Sequence, residues 1–221
     1  MTNLTKALFL ICIVWGGALA HAQVPDPSPA RFATEIHAFA NWDAKNSFPK
    51  DAILFVGSSS IRLWATASAF PKHTIINRGF GGSHISDVNY YYDQLVKPYR
   101  AATIVLYAGD NDIAYGKTPE RVLADFKRFV ERVRGDTDRT KILFLSIKPS
   151  VARWHHWPTM VEANGLIENY VADQPELTFV DLASTLLDDR GQPKDAYVYD
   201  ELHLNEYGYQ LWNEALAPFL N

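Results

Sequence analysis

The segment Ile53-Leu54-Phe55-Val56-Gly57-Ser58-Ser59-Ser60 decides how the chain is read. Four bulky apolar residues in succession suit a short strand covered on both faces, as in a parallel sheet. A glycine and three serines then stop it in a turn. Similar runs recur at 74–76, 103–107, 142–147 and 178–182. Helical patterns lie between and around them. Phe32, Ile36, Phe39 and Ala40 share a face within 31–42, and Ile85, Val88, Tyr92 and Leu95 share another. Thr118 can cap and Pro119 can open a helix lined by Val122, Phe126, Phe129, Val130 and Val133 and ended by Gly135. Pro158 opens one with Met160, Val161, Ile167, Tyr170 and Val171. Asn205 caps the last, with Tyr207, Leu211, Ala215 and Phe219. Alternating strands and helices predict a three-layer α/β/α sandwich around a five-stranded, mostly parallel sheet, doubly wound with right-handed crossovers. No internal repeat or linker divides it.

Ahead of this domain the composition changes. Lys6 is the single charged side chain before Asp26, and an uncharged, largely apolar run from 7 to 20 leads into Ala20-His21-Ala22. That is the layout of a secretory signal peptide over residues 1–22, too short to span a bilayer comfortably. The expected mature domain is 23–221, from an exported, periplasmic or secreted bacterial protein. The chain's one cysteine, Cys12, lies in the leader, with bulky Ile11 where a lipobox would place a small residue. The mature fold therefore relies on no disulfide.

The 221 residues are 48% hydrophobic and 13% aromatic, which excludes a disordered chain. The formal charge of -4, which becomes -5 when Lys6 leaves, argues against nucleic acid as a partner.

In a doubly wound sheet the ligand site lies beyond the carboxyl ends of the strands. Three of those ends carry Gly57-Ser58-Ser59-Ser60, Asn77-Arg78-Gly79-Phe80-Gly81-Gly82-Ser83 and Gly109-Asp110-Asn111-Asp112, and Asp200-Glu201-Leu202-His203 precedes the last helix. Singly, each is ordinary turn or capping chemistry. Together they supply an acyl-transfer machine. A serine hydroxyl needs a base, for which His203 is suited, and Asp200 can hold the imidazole. The N–H groups of Ser59 and Gly82 and the amide of Asn111 can meet the oxyanion. A histidine base implies activity rising near the value of an unperturbed imidazole, about 6.5, shifted by whatever Asp200 contributes. No cofactor or metal is implied. His155-His156 lacks further ligands nearby.

At these residues the chain resembles the SGNH or GDSL hydrolases, in the branch similar to platelet-activating-factor acetylhydrolase catalytic subunits. The likeness covers essentially the whole mature chain and implies a flavodoxin-like SGNH hydrolase fold. Gly57-Ser58-Ser59 matches the Gly-Asp-Ser block, which implies Ser59 as nucleophile and first oxyanion donor. Gly82 matches the second block's glycine, Asn111 the Asn of Gly-x-Asn-Asp, and Asp200 with His203 the final Asp-x-x-His. Ser58 departs from the family Asp and Ser60 from its Leu or Ile, so Ser58 and Ser60 stay open as alternative nucleophiles.

Arg153, Trp154 and Trp157, in the loop after the fourth strand, are candidate substrate contacts: stacking on a sugar, lining an acyl pocket or meeting an anion. Equally, the aromatics can be buried in a loop folded on the body. Of Tyr90-Tyr91-Tyr92, only Tyr92 fits a core face. No apolar lid is apparent, which favours short acyl groups. The expectation is a secreted serine esterase for acetyl-type esters, possible targets including O-acetyl groups on carbohydrate. A lysophospholipase is the alternative within the class. A non-catalytic anion- or sugar-binding module is the alternative outside it, although a bare anion cradle needs no base–orienter pair.

Overall fold

The computed structural model describes residues 24–49 and 52–220. The expected signal peptide lies outside them. The five apolar runs form strands β1 (Ile53–Gly57), β2 (Ile75–Gly79), β3 (Thr103–Tyr107), β4 (Lys141–Leu145) and β5 (Leu177–Val180). All pairings are parallel, in the order β2-β1-β3-β4-β5. The helices are α1 (Ala33–Asp43), α2 (Ser59–Arg62), α3 (Thr66–Ala69), α4 (Ile85–Tyr90), α5 (Tyr92–Leu95), α6 (Asp110–Ala114), α7 (Pro119–Asp136), α8 (Trp157–Val171) and α9 (Glu206–Leu216).

Side chains alternate across the strands and so build two cores. Leu54, Val56, Ile104, Leu106, Ile142 and Phe144 face one layer with α1, α4, α5, α7 and α8. Ile53, Phe55, Val105, Tyr107, Leu143 and Leu145 face the other, with Trp64, Phe70 and α9. Double coverage is why the central strands read as unbroken apolar runs.

Local chemistry sets the limits of these elements. Thr118 Oγ1 accepts from Arg121 N and Asn205 Oδ1 from Gly208 N, capping α7 and α9. β4 stops at Leu145 because Asn164, from α8, takes both the N–H and the C=O of Ile147 at 2.8 and 2.9 Å. The chain beyond is thereby released toward the site.

Several sequence expectations change. β2 extends through polar Asn77 and Arg78, which reach distant partners: Asn77 donates to Ile61 O, and Arg78 to Tyr99 and Asp43. The helix expected through Ile85 and Leu95 is two, broken at Tyr91. Tyr91 is buried and its hydroxyl donates to Pro29 O at 2.8 Å, so it is no surface residue, whereas Tyr90 is exposed. The core face of α9 is Gly208, Trp212 and Leu216, one position on from the stripe read in the sequence, and Tyr207 and Phe219 are exposed. Val161 is also exposed.

Candidate active site

β1 ends in register with Gly79 of β2 and Tyr107 of β3, so the loops that follow all leave from one edge. β1 and β3 are neighbours, and the chain leaves β1 for β2 on the opposite side. This is the crevice where strand order reverses.

Of the three serines, Ser58 and Ser60 are buried at 0% and 2% exposure, and Ser59 stands at the first position of α2. Ser59 Oγ is 2.9 Å from His203 Nε2, and His203 Nδ1 is 2.6 Å from Asp200 Oδ2. Asp200 Oδ1 accepts the N–H groups of Leu202 and His203, both at 2.9 Å. Burial alone would raise the Asp200 carboxyl, but the His203 ring and these two N–H groups outweigh it and hold the carboxyl at about 2. Asp200 is therefore an anion at every ordinary pH. The three residues make one hydrogen-bonded chain across 144 positions of sequence.

The bend carrying Asp200 and His203 is tied down from several sides. Val198 N donates to His203 O, Ala152 N to Glu201 O, and Lys148 Nζ to Leu202 O at 2.7 Å. Between them Glu201 holds φ +58, a left-handed conformation that a non-glycine residue keeps only under external constraint.

The glycine loop after β2 lies beside the serine turn, with Phe80 N donating to Gly57 O at 2.9 Å. Gly82 has φ +77, and a Cβ there would meet nothing within 4 Å. Backbone conformation, together with open space over the loop, therefore explains the glycine. The N–H groups of Ser59 and Gly82 have no partner among the described residues. Asn111 Nδ2 donates to Ser83 O at 3.1 Å, which brings Asn111 against the same loop. Two carboxylates fix the loop's far end: Asp87 accepts from His84 N at 2.9 Å, and Asp112 from Ile85 N at 3.3 Å. Asp112 is in turn paired with Lys117 at 2.9 Å. Arg31 pairs with Asp87.

Arg153 turns inward. Its Nη1 lies 3.0 Å from both Asp110 Oδ2 and Asn111 Oδ1. Trp154 and Trp157 are half-buried and stacked on each other, ring centres 6.1 Å apart and planes 14° apart. Trp157 also packs against the core.

Lys148 and Asp110 had no role in the sequence reading. Lys148 Nζ is 4.0 Å from Asp110 Oδ2, and burial, with Arg153 nearby, pushes its ammonium down to about 8 against the opposing pull of Asp110 and Asp200. A lysine immediately after an apolar strand, at the end where the site forms, was the available signal. A cavity of about 530 Å³ lies instead at the opposite end of the strands, lined by Tyr92, Val96, Ile104 and Thr140, and contains none of these groups. Among the described residues, no cluster of three or more His, Cys, Asp or Glu is placed to hold a metal ion.

The family model of the GDSL-like lipases/acylhydrolases matches residues 60–211, well over half of the chain. No curated protein matches the sequence significantly. Among solved structures, a Streptococcus pneumoniae protein provisionally described as a platelet activating factor is 24% identical at a TM-score of 0.72, covering 86% of this chain and 99% of its own. A GDSL-like lipase from Bacteroides thetaiotaomicron is 18% identical at 0.69, covering 87% and 96%. A catalytic mutant of an acetylxylan esterase from Geobacillus stearothermophilus is 13% identical at 0.64, covering 79% and 96%. At these identities the likeness is one of fold.

Proposed function

The chain belongs to the GDSL-like lipase/acylhydrolase family, and on that premise we propose a serine esterase that removes short acyl groups, acetyl above all, from small-molecule or carbohydrate esters. Family membership sets aside the non-catalytic binding module. The observation that carries the mechanism is the Ser59–His203–Asp200 chain at 2.9 and 2.6 Å.

In this reading Ser59 Oγ attacks the ester carbonyl while His203 Nε2 takes its proton. His203 Nδ1–H donates to ionised Asp200, which holds the tautomer and offsets the imidazolium charge. The oxyanion is met by the N–H groups of Ser59 and Gly82 and by Asn111 Nδ2, aimed where charge develops. His203 returns the proton to the leaving alkoxide. Water, deprotonated by the same imidazole, then attacks the acyl-enzyme, and the acid and Ser59 are released.

One feature supports a carbohydrate ester over a lipid: the Trp154–Trp157 pair offers a partly exposed aromatic surface next to Arg153. Export to the periplasm or medium, with cleavage near Ala22, belongs to the same proposal. The test compares acetate released from acetylated xylan with fatty acid released from lysophospholipid, using wild type, Ser59→Ala and Ser60→Ala. Acetate release should dominate, vanish in Ser59→Ala and largely persist in Ser60→Ala. Dominant fatty-acid release would move the substrate to lipid, and an active Ser59→Ala would overturn the mechanism.

A further inference from the structure

We propose that Arg153 is a positioning residue that locks the side-chain amide of Asn111 in the orientation needed to donate to the oxyanion. This deepens the reading above and rests on it.

An asparagine amide fits its space almost equally well after a 180° turn, so hydrogen bonding alone decides which end faces the reacting atoms. Both ends of Asn111 are specified. Oδ1 lies 3.0 Å from Arg153 Nη1, a group that can only donate. Nδ2 lies 3.1 Å from Ser83 O, which can only accept. Turning the amide would set donor against donor and acceptor against acceptor at once. With Nδ2 held toward the Gly82–Ser83 loop, one of its hydrogens goes to Ser83 O and the other remains for an incoming oxyanion.

The guanidinium is itself held. The same Nη1 is 3.0 Å from Asp110 Oδ2, a carboxylate only 4% exposed, and if Arg153 swung away that buried oxygen would keep only the more distant Lys148. Asp110 also faces Lys148 at 4.0 Å, and Lys148 holds Leu202 O in the bend that carries His203. One run of contacts thus joins the Asn111 amide to the acid–base loop. A cation on Oδ1 further polarises the amide, making Nδ2–H a stronger donor to developing negative charge.

The competing role for Arg153 is direct contact with the substrate, and the two roles separate kinetically. The experiment is a double-mutant cycle on 4-nitrophenyl acetate with wild type, R153M, N111A and the double variant, plus R153K, which keeps a cationic donor. An interaction made in the transition state lowers kcat and leaves KM alone. R153M should lose about 10–100-fold in kcat with KM within about twofold, somewhat less than N111A, for which about 10²–10³-fold is typical of an oxyanion donor. R153K should recover part of the loss. The double variant should be no worse than N111A within about threefold, because an amide that is absent cannot be misoriented.

Losses that multiply in the double variant would overturn the proposal. So would an R153M effect confined to KM, which would assign Arg153 to the substrate. If Ser59→Ala is inactive and R153M keeps wild-type kcat, this inference alone fails. If Ser59→Ala stays active, the site reading fails and this inference with it.

Discussion

Three consecutive serines end β1, and the backbone sorts them. Ser58 Oγ is fully buried without a hydrogen-bond partner, Ser60 is buried in the first turn of α2, and Ser59 alone of the three meets His203. A buried hydroxyl with no partner gives up its hydration and receives nothing in return. Ser58→Ala should therefore leave stability unchanged or raise it by up to about 1 kcal/mol, with hydrolysis retained; urea denaturation and an ester assay check both. A loss beyond that would mean that Ser58 carries out, by other contacts, whatever its family counterpart does with an Asp. The resemblance of Gly57-Ser58-Ser59 to the family block pointed to Ser59, but the burial of its neighbours could not be read in the sequence, since it depends on how α2 packs.

At the scale of elements, the turns hold the chemistry in place. Gly57 has φ +135, and a Cβ on it would fall 1.8 Å from Tyr107 O on the neighbouring strand. Gly57→Ala should cost more than the roughly 1–3 kcal/mol of a strained φ, because β1 and β3 must also part; a thermal melt near that of wild type would contradict this. The elements legible in the sequence were those whose partners are their own neighbours or a generic apolar layer. The central strands and α7 announced themselves by unbroken or 3.6-residue apolar patterns, and Thr118 and Asn205 by capping chemistry. The polar end of β2, the break at Tyr91 and the early stop of β4 did not. Each depends on a partner remote in sequence: Asp43 and Tyr99 for Arg78, Pro29 for Tyr91, Asn164 for Ile147. The site divides along the same line. Motif residues showed in the sequence, whereas Lys148 and Asp110, which hold those residues in register, look like any charged pair until the fold buries them.

On the scale of the molecule, the strand order β2-β1-β3-β4-β5 puts the serine turn after β1 and the Asn111 segment after β3 on either side of one crevice. The layer behind the glycine loop carries a dense set of charges. Asp26, Asp112 and Asp125 all meet buried Lys117 within 3.0 Å, and Arg121 pairs with Asp26 and Asp125. Within it, His84 is only 4% exposed; burial first, then the positive charges of Lys117 and Arg31, push its imidazole down to about 4 despite Asp26 and Asp110. A base whose folded value lies below its unfolded one disfavours the fold as it titrates. Above about 6.5 both states are neutral at this residue. As pH falls from there to about 4, only the unfolded chain gains the proton at His84, which lowers stability; Asp112, 4.0 Å away and raised by burial to about 7, is protonated first in the folded chain and works the other way. The fall should be shallower in His84→Gln, compared by slope and not by absolute stability, in urea melts between pH 7.5 and 4. An unchanged slope would place the acid sensitivity elsewhere. Below about 4 Asp200 adds to the decline, because the unfolded chain takes up a proton there that the depressed carboxyl of the folded chain does not.

In the proposed mechanism Ser59 is a nucleophile activated by His203 on a chain held by Asp200. Reaction with a fluorophosphonate at neutral pH, followed by peptide mapping of the adduct, is the decisive measurement. One covalent adduct is expected, on Ser59, absent in Ser59→Ala and strongly slowed in His203→Ala. An adduct on Ser58 or Ser60, or no adduct on an enzyme that still hydrolyses acetate esters, would contradict it.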